Sequence, residues 1–154
     1  MRITRRAFLL LGAAAGTAHA QLPPNIAELR RQALDEAIRK VVGNAQVRTG
    51  KVKLDLPPLI DNGNTVPLSV EVDSPMTAAD HVKAIHVFTE KNPQPYVLSA
   101  HLGPRSGRAR ITTRARIADT GVVTAIAQMS DGSFWSDSVK VIVTLSACLE
   151  EGLI

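Results

Sequence analysis

From Gly50 onward the chain is a succession of short β-rich runs, each closed by a turn signal, and that rhythm leaves room for little except a β-sandwich. About seven strands are predicted: Lys51–Leu56, Thr65–Val72, Val82–Thr89, Val97–Leu102, Arg108–Ile117, Val122–Met129 and Phe134–Leu145. Pro57-Pro58, Asn62-Gly63, Ser74-Pro75, Asn92-Pro93, Ser106-Gly107, Thr120-Gly121 and Asp131-Gly132 separate them. The run Arg108–Ile117 alternates, with Arg108, Arg110, Thr112, Arg114 and Arg116 on one face and Ala109, Ile111, Thr113, Ala115 and Ile117 on the other. Its arginine face is predicted to meet water, or else to steer anions or dock a partner. Asp131-Gly132 predicts a hairpin, because glycine accepts the positive φ of a tight primed turn. The last strand then runs from Phe134 to Leu145 and delivers Cys148 just beyond its end.

Ahead of the strands, Ile26, Leu29, Ala33, Ala37, Ile38 and Val41 recur at spacings of three and four between charged residues. This predicts an amphipathic helix with Asn25 as N-cap and Gly43 as stop, one face packed on the sandwich. Residues Met1–Ala20 join a basic start, the apolar run Ala7–Ala15 and the small-residue ending Ala18-His19-Ala20, which is the layout of a signal peptide. Thr4-Arg5-Arg6-Ala7-Phe8-Leu9 sets an arginine pair before the apolar run, the address of twin-arginine export; an ordinary secretory leader with two arginines is the alternative. Either way export is expected. The apolar run falls well short of the roughly 20 residues of a membrane-spanning helix, so no permanent anchor is expected. The expected division is 1–20 leader, 21–50 helical segment, 51–145 sandwich and 146–154 a C-terminal arm.

The formal charge of +4 misleads unless the leader is set aside. Its three arginines removed from 18 basic residues leave 15 against 14 acidic ones, a balance of +1, which with export speaks against nucleic acid as a partner. Histidines 19, 81, 86 and 101 show no metal spacing, no Cys-x-x-Cys-His motif for haem occurs, and no glycine loop for phosphate or serine nucleophile elbow is present. Surface or core places are expected for the histidines, and no cofactor is expected. In the pair Phe134-Trp135, one ring is assigned to the core and the other to a partner contact.

Cys148 is the one cysteine of the chain, so it cannot close an internal disulfide, and an unpaired thiol in an oxidising compartment has to be buried or used. Three readings stand open on the residues alone. The thiol could be a small buried hydrophobe, could pair with a histidine as a catalytic nucleophile, or could be presented to several enzymes in turn on a terminal arm.

A series of short words then narrows the choice: Asp61-Asn62-Gly63-Asn64-Thr65-Val66-Pro67, Val72-Asp73-Ser74-Pro75-Met76, Lys91-Asn92-Pro93, Pro104-Arg105-Ser106-Gly107 and Met129-Ser130-Asp131-Gly132-Ser133-Phe134-Trp135. With the leader and the terminal cysteine, the stretch from Leu54 to Cys148 resembles the SoxY family, sulfur-carrier subunits of the bacterial thiosulfate-oxidising system. The resemblance implies an immunoglobulin-like antiparallel sandwich in the periplasm, paired with a SoxZ-like subunit and serviced by a haem protein, a hydrolase and a dehydrogenase. It also implies that Cys148 carries the sulfur intermediates covalently and that the chain is not itself an enzyme. The family's usual ending is Gly-Gly-Cys-Gly-Gly, whereas here Ser146-Ala147 precede Cys148 and Leu149-Glu150-Glu151 follow it. Loss of glycine stiffens the arm, and the two carboxylates are expected to raise the thiol pKa. A partner-binding sandwich with an inert cysteine, or a thiol-dependent redox protein needing an external thiol, are the alternatives.

Overall fold

The computed structural model describes residues 24–145, so the leader Met1–Ala20 and the arm 146–154 with Cys148 lie outside the described residues. A single helix, α1 (Pro24–Val42), precedes nine strands: β1 (Val47–Thr49), β2 (Val52–Asp55), β3 (Leu59–Asn62), β4 (Val66–Val72), β5 (Val82–Thr89), β6 (Tyr96–His101), β7 (Arg110–Ala115), β8 (Gly121–Met129) and β9 (Phe134–Leu145). They form a β-sandwich. One sheet has the order β1-β9-β8-β5-β6, with β3 also on β9, and the other has the order β2-β4-β7.

The expected seven strands are present, shortened at several ends, and two more join them. β1 and β3 pair with β9 in parallel, β1 at Phe134–Ser136 and β3 at Ile142–Leu145, so the sandwich is not wholly antiparallel as expected. Runs of three and four residues carry too little alternation to be read as strands; the edge of β9 selects them. The hairpin between β8 and β9 also differs from the tight two-residue turn. Gly132 N donates to Met129 O at 3.1 Å and Met129 N donates to Ser133 O at 2.9 Å, which makes a three-residue loop with Gly132 at φ 84.

Alternation sets what each strand buries. The inner faces of both sheets, among them Leu54, Val66, Leu68, Val70, Ile85, Val87, Val123, Ala125, Ala127 and Val141, form the main core. β5 reads almost without alternation because it is covered on both sides. On its second side Phe88, with Ile126 and Phe134, meets Leu34, Ala37, Ile38, Val41 and Val42 of the helix and Val47 of β1. The molecule is therefore a helix on a six-stranded sheet on a three-stranded sheet.

Two expectations for the helix are corrected. Asn25 lies inside it rather than capping it, since the helix begins at Pro24, whose fixed φ suits a first turn. Leu29 is 59% exposed, because the face that meets the sheet begins at Leu34. Gly43 does end the helix, at φ 61, with its N–H donating to Arg39 O at 2.8 Å.

Candidate functional site

β9 is the strand that leads to Cys148, and its last residues are fastened from three directions. Val143 N donates to Thr120 Oγ1 at 3.0 Å, and Thr144 Oγ1 donates to Asp61 O at 3.2 Å. Leu145 O accepts Gly63 N at 3.1 Å, and Gly63 O in turn accepts Ile117 N at 2.8 Å. Midway along β9, between the stretches paired to β1 and β3, Asp137 Oδ2 accepts the backbone N–H of Leu54 at 2.9 Å and ties the two sheets together. Three residues past Leu145 stands Cys148, outside the described residues.

Next to that fastened end the two sheets gape. β6 is the edge of one sheet and β7 the edge of the other, and between them lies a groove of about 530 Å³. Tyr96, Val97 and Leu98 form one wall and Thr113, Arg114, Ala115 and Arg116 the other. Asn92 shapes its end, with Nδ2 donating to Arg116 O at 2.8 Å and Oδ1 accepting Ala118 N at 2.8 Å. No single segment announces this groove, because its walls are about 20 residues apart in sequence and meet only through the topology.

The arginine alternation holds from end to end, with Arg108, Arg110, Thr112, Arg114 and Arg116 exposed and Ala109, Ala115 and Ile117 buried, although the strand itself spans only Arg110–Ala115. Arg110 lies across from Glu71, itself across from Lys53; Arg114 lies across from Pro67. Arg114 thus enters no ion pair among the described residues.

The three described histidines take surface and core places. His81 is half-buried in a loop, with Nδ1 3.1 Å from Thr77 O. His86 is buried on the helix side of β5; its Nδ1 is 2.8 Å from Tyr96 Oη, its ring stacks on Tyr96 at 5.9 Å, and its Nε2 has no partner. Burial holds its pKa below the ordinary value, helped by the nearby charge of exposed His101, whose ring stands edge-on at 6.3 Å. Sequence reasoning had no sign of this cluster, since the register that pairs His101 with Ala84 is set by the β5–β6 ladder. Among the described residues no three His, Cys, Asp or Glu side chains gather as a metal site.

Phe134 takes the core place expected of one ring. Trp135 is half-buried, donates from Nε1 to Ser133 Oγ at 3.1 Å, and lies under Arg48 and Lys51 at 5.7 and 5.3 Å from its ring centre. Cations of the same chain cover it.

Residues 38–148 match the family described as sulfur oxidation protein SoxY, which is more than half of the chain. The chain belongs to the SoxY family. Among solved structures it is similar to the sulfur carrier protein SoxY of Chlorobium limicola f. thiosulfatophilum, with 26% identity and a TM-score of 0.62 over 74% of this chain and 98% of that one. The superoxide reductase (neelaredoxin) of Ignicoccus hospitalis is similar at 16% identity and TM-score 0.57, covering 63% of this chain and 94% of that one. The superoxide reductase of Nanoarchaeum equitans follows at 10% and 0.52, covering 62% and 100%. At such identities these two speak for the sandwich fold alone. No curated protein matches the chain in sequence. No described helix is long and apolar enough to cross a membrane.

Proposed function

We propose that this SoxY-family chain is a covalent sulfur carrier of the periplasm, exported by its twin-arginine leader, with Cys148 as the attachment point. The observation that carries the reading is the family match, which runs unbroken to residue 148 and so takes in the one cysteine of the chain. The chemistry asks of this chain a thiolate and no more. Coupling forms a bond between the cysteine sulfur and the outer sulfur of thiosulfate, releasing the thiol proton and two electrons to a haem-protein acceptor. Hydrolysis then splits the adduct with one water into sulfate and a cysteine persulfide, and a dehydrogenase oxidises the sulfane sulfur that remains. In this reading the chain is not an enzyme, needs no cofactor of its own, and docks a SoxZ-like subunit as a heterodimer.

Intact mass of the protein taken from its native periplasm during growth on thiosulfate, with and without reductant and mapped to the C-terminal peptide, tests the proposal. A reductant-labile sulfur adduct on Cys148, absent from Cys148→Ala, is expected. An unmodified thiol on a chain fully engaged with its partner, with thiosulfate oxidation intact in Cys148→Ala, would replace the carrier reading with that of a binding module.

A further inference from the structure

We propose that His86 and His101 form a two-histidine site for a borderline divalent metal ion of the zinc class, completed by water. The ladder between β5 and β6 sets the pair. His86 stands opposite Ser99 and His101 opposite Ala84, so the two imidazoles sit diagonally on the same face of adjacent antiparallel strands. Their ring centres are 6.3 Å apart.

The second observation is an orphaned nitrogen. His86 is buried, and its Nε2 makes no hydrogen bond although it is sealed from solvent. Nδ1 lies 2.8 Å from Tyr96 Oη, and the two nitrogens of an imidazole point nearly opposite ways. Along β6, Tyr96 is registered with Phe88 and His101 with Ala84, on either side of His86. Nε2 therefore turns away from Tyr96 and towards His101. With Nδ1–H donating to Tyr96 Oη, Nε2 presents a bare lone pair. Histidine ligands are prepared in this way, one nitrogen held by a fixed oxygen and the other left for the metal. Burial also keeps the ring unprotonated, which is the form that binds.

The distance is within reach of one metal ion. A Zn–N bond of about 2.0–2.1 Å puts each ring centre about 3.2 Å from the metal, so two ligands at a tetrahedral angle hold their ring centres about 5 Å apart. His101 has to approach by roughly 1 Å, and it is an exposed side chain on an edge strand. Two protein ligands leave the remaining positions to water, and imidazole nitrogen favours zinc over magnesium or calcium, which take oxygen. Binding fastens β6 to β5 and fixes Tyr96, which lines both the groove between β6 and β7 and a cleft beside α1 formed with Ala37, Val41 and Pro95. The carrier chemistry does not use this site.

The test is the zinc affinity of the metal-free full chain, measured by competition with a chromophoric chelator, together with nitrogen NMR shifts of the histidine rings. One zinc per chain is expected, with the Nε2 resonance of His86 moving during the titration and staying still when magnesium is added instead. His101→Ala removes an exposed side chain, leaves the fold intact and is expected to weaken binding at least about tenfold. Tyr96→Phe takes away the oxygen that holds Nδ1 and is expected to weaken it about tenfold. Cys148→Ala and His81→Ala each remove a competing ligand elsewhere in the chain and are expected to keep the affinity. Full affinity in His101→Ala, loss of binding in Cys148→Ala, zinc uptake that leaves Nε2 of His86 unmoved, or no uptake at millimolar zinc would overturn the proposal.

Discussion

At His86 the fold holds an imidazole 6% exposed with one ring nitrogen bonded to Tyr96 and the other without a partner. Both burial and the charge of His101 favour the neutral ring, so its folded pKa sits below the ordinary 6.5. As pH falls, the unfolded chain therefore takes up this proton before the folded one does. Stability is complete above about 6.5 and declines as pH drops below it towards the folded value. Replacing the ring with one that cannot titrate, His86→Phe, keeps the stacking on Tyr96 and removes the orphaned nitrogen. Denaturant titrations at several pH values are expected to show a shallower acid-side slope for His86→Phe; an identical slope in both proteins would mean that another group titrates.

Among the elements, the helix depends on the sheet more than on itself. Its apolar side from Leu34 to Val42 is held by Phe88, Ile126 and Phe134, a cluster separate from the main core. Phe88→Ala is expected to cost about 3–5 kcal/mol, with early loss of helical circular dichroism, because the cavity opens directly beneath the helix. An undiminished helical signal at the first stage of denaturation would contradict that order. The same cluster shows what the amino-acid order could and could not announce. Alternation marked β4 and β7 well, since each has one wet face and one dry one, and the three-and-four spacing marked the helix. It could not show which turn of the helix touches the sheet, nor that Val47–Thr49 and Leu59–Asn62 are strands, because a neighbour distant in sequence decides both.

In the molecule as a whole, the two sheets are joined by apolar contact and by the bond from Leu54 N to Asp137 Oδ2. Leu54 is buried, so Asp137→Ala leaves its N–H without an acceptor and is expected to cost about 1–3 kcal/mol. Asp137→Asn keeps a carbonyl oxygen at that place and is expected to recover most of the loss; equal losses in both would assign the effect to charge rather than to the bond. The candidate site divides along similar lines. Cys148 stands out in the amino-acid order as the one thiol of the chain, and it lies outside the described residues. The groove does not stand out, because Asn92–Leu98 and Thr113–Ala118 become neighbours only when two sheets stack.

The way β9 is built in has a mechanical side. Its first eight residues are laddered to β8, and its last four to β3, so the strand is gripped along its whole length rather than at a tip. A tug on the residues beyond Leu145, directed along the strand, loads those hydrogen bonds together in shear instead of unzipping them one after another. The domain thus resists as a clamp resists a pulled cord. The sandwich is built to stay folded when load is applied at the end of β9.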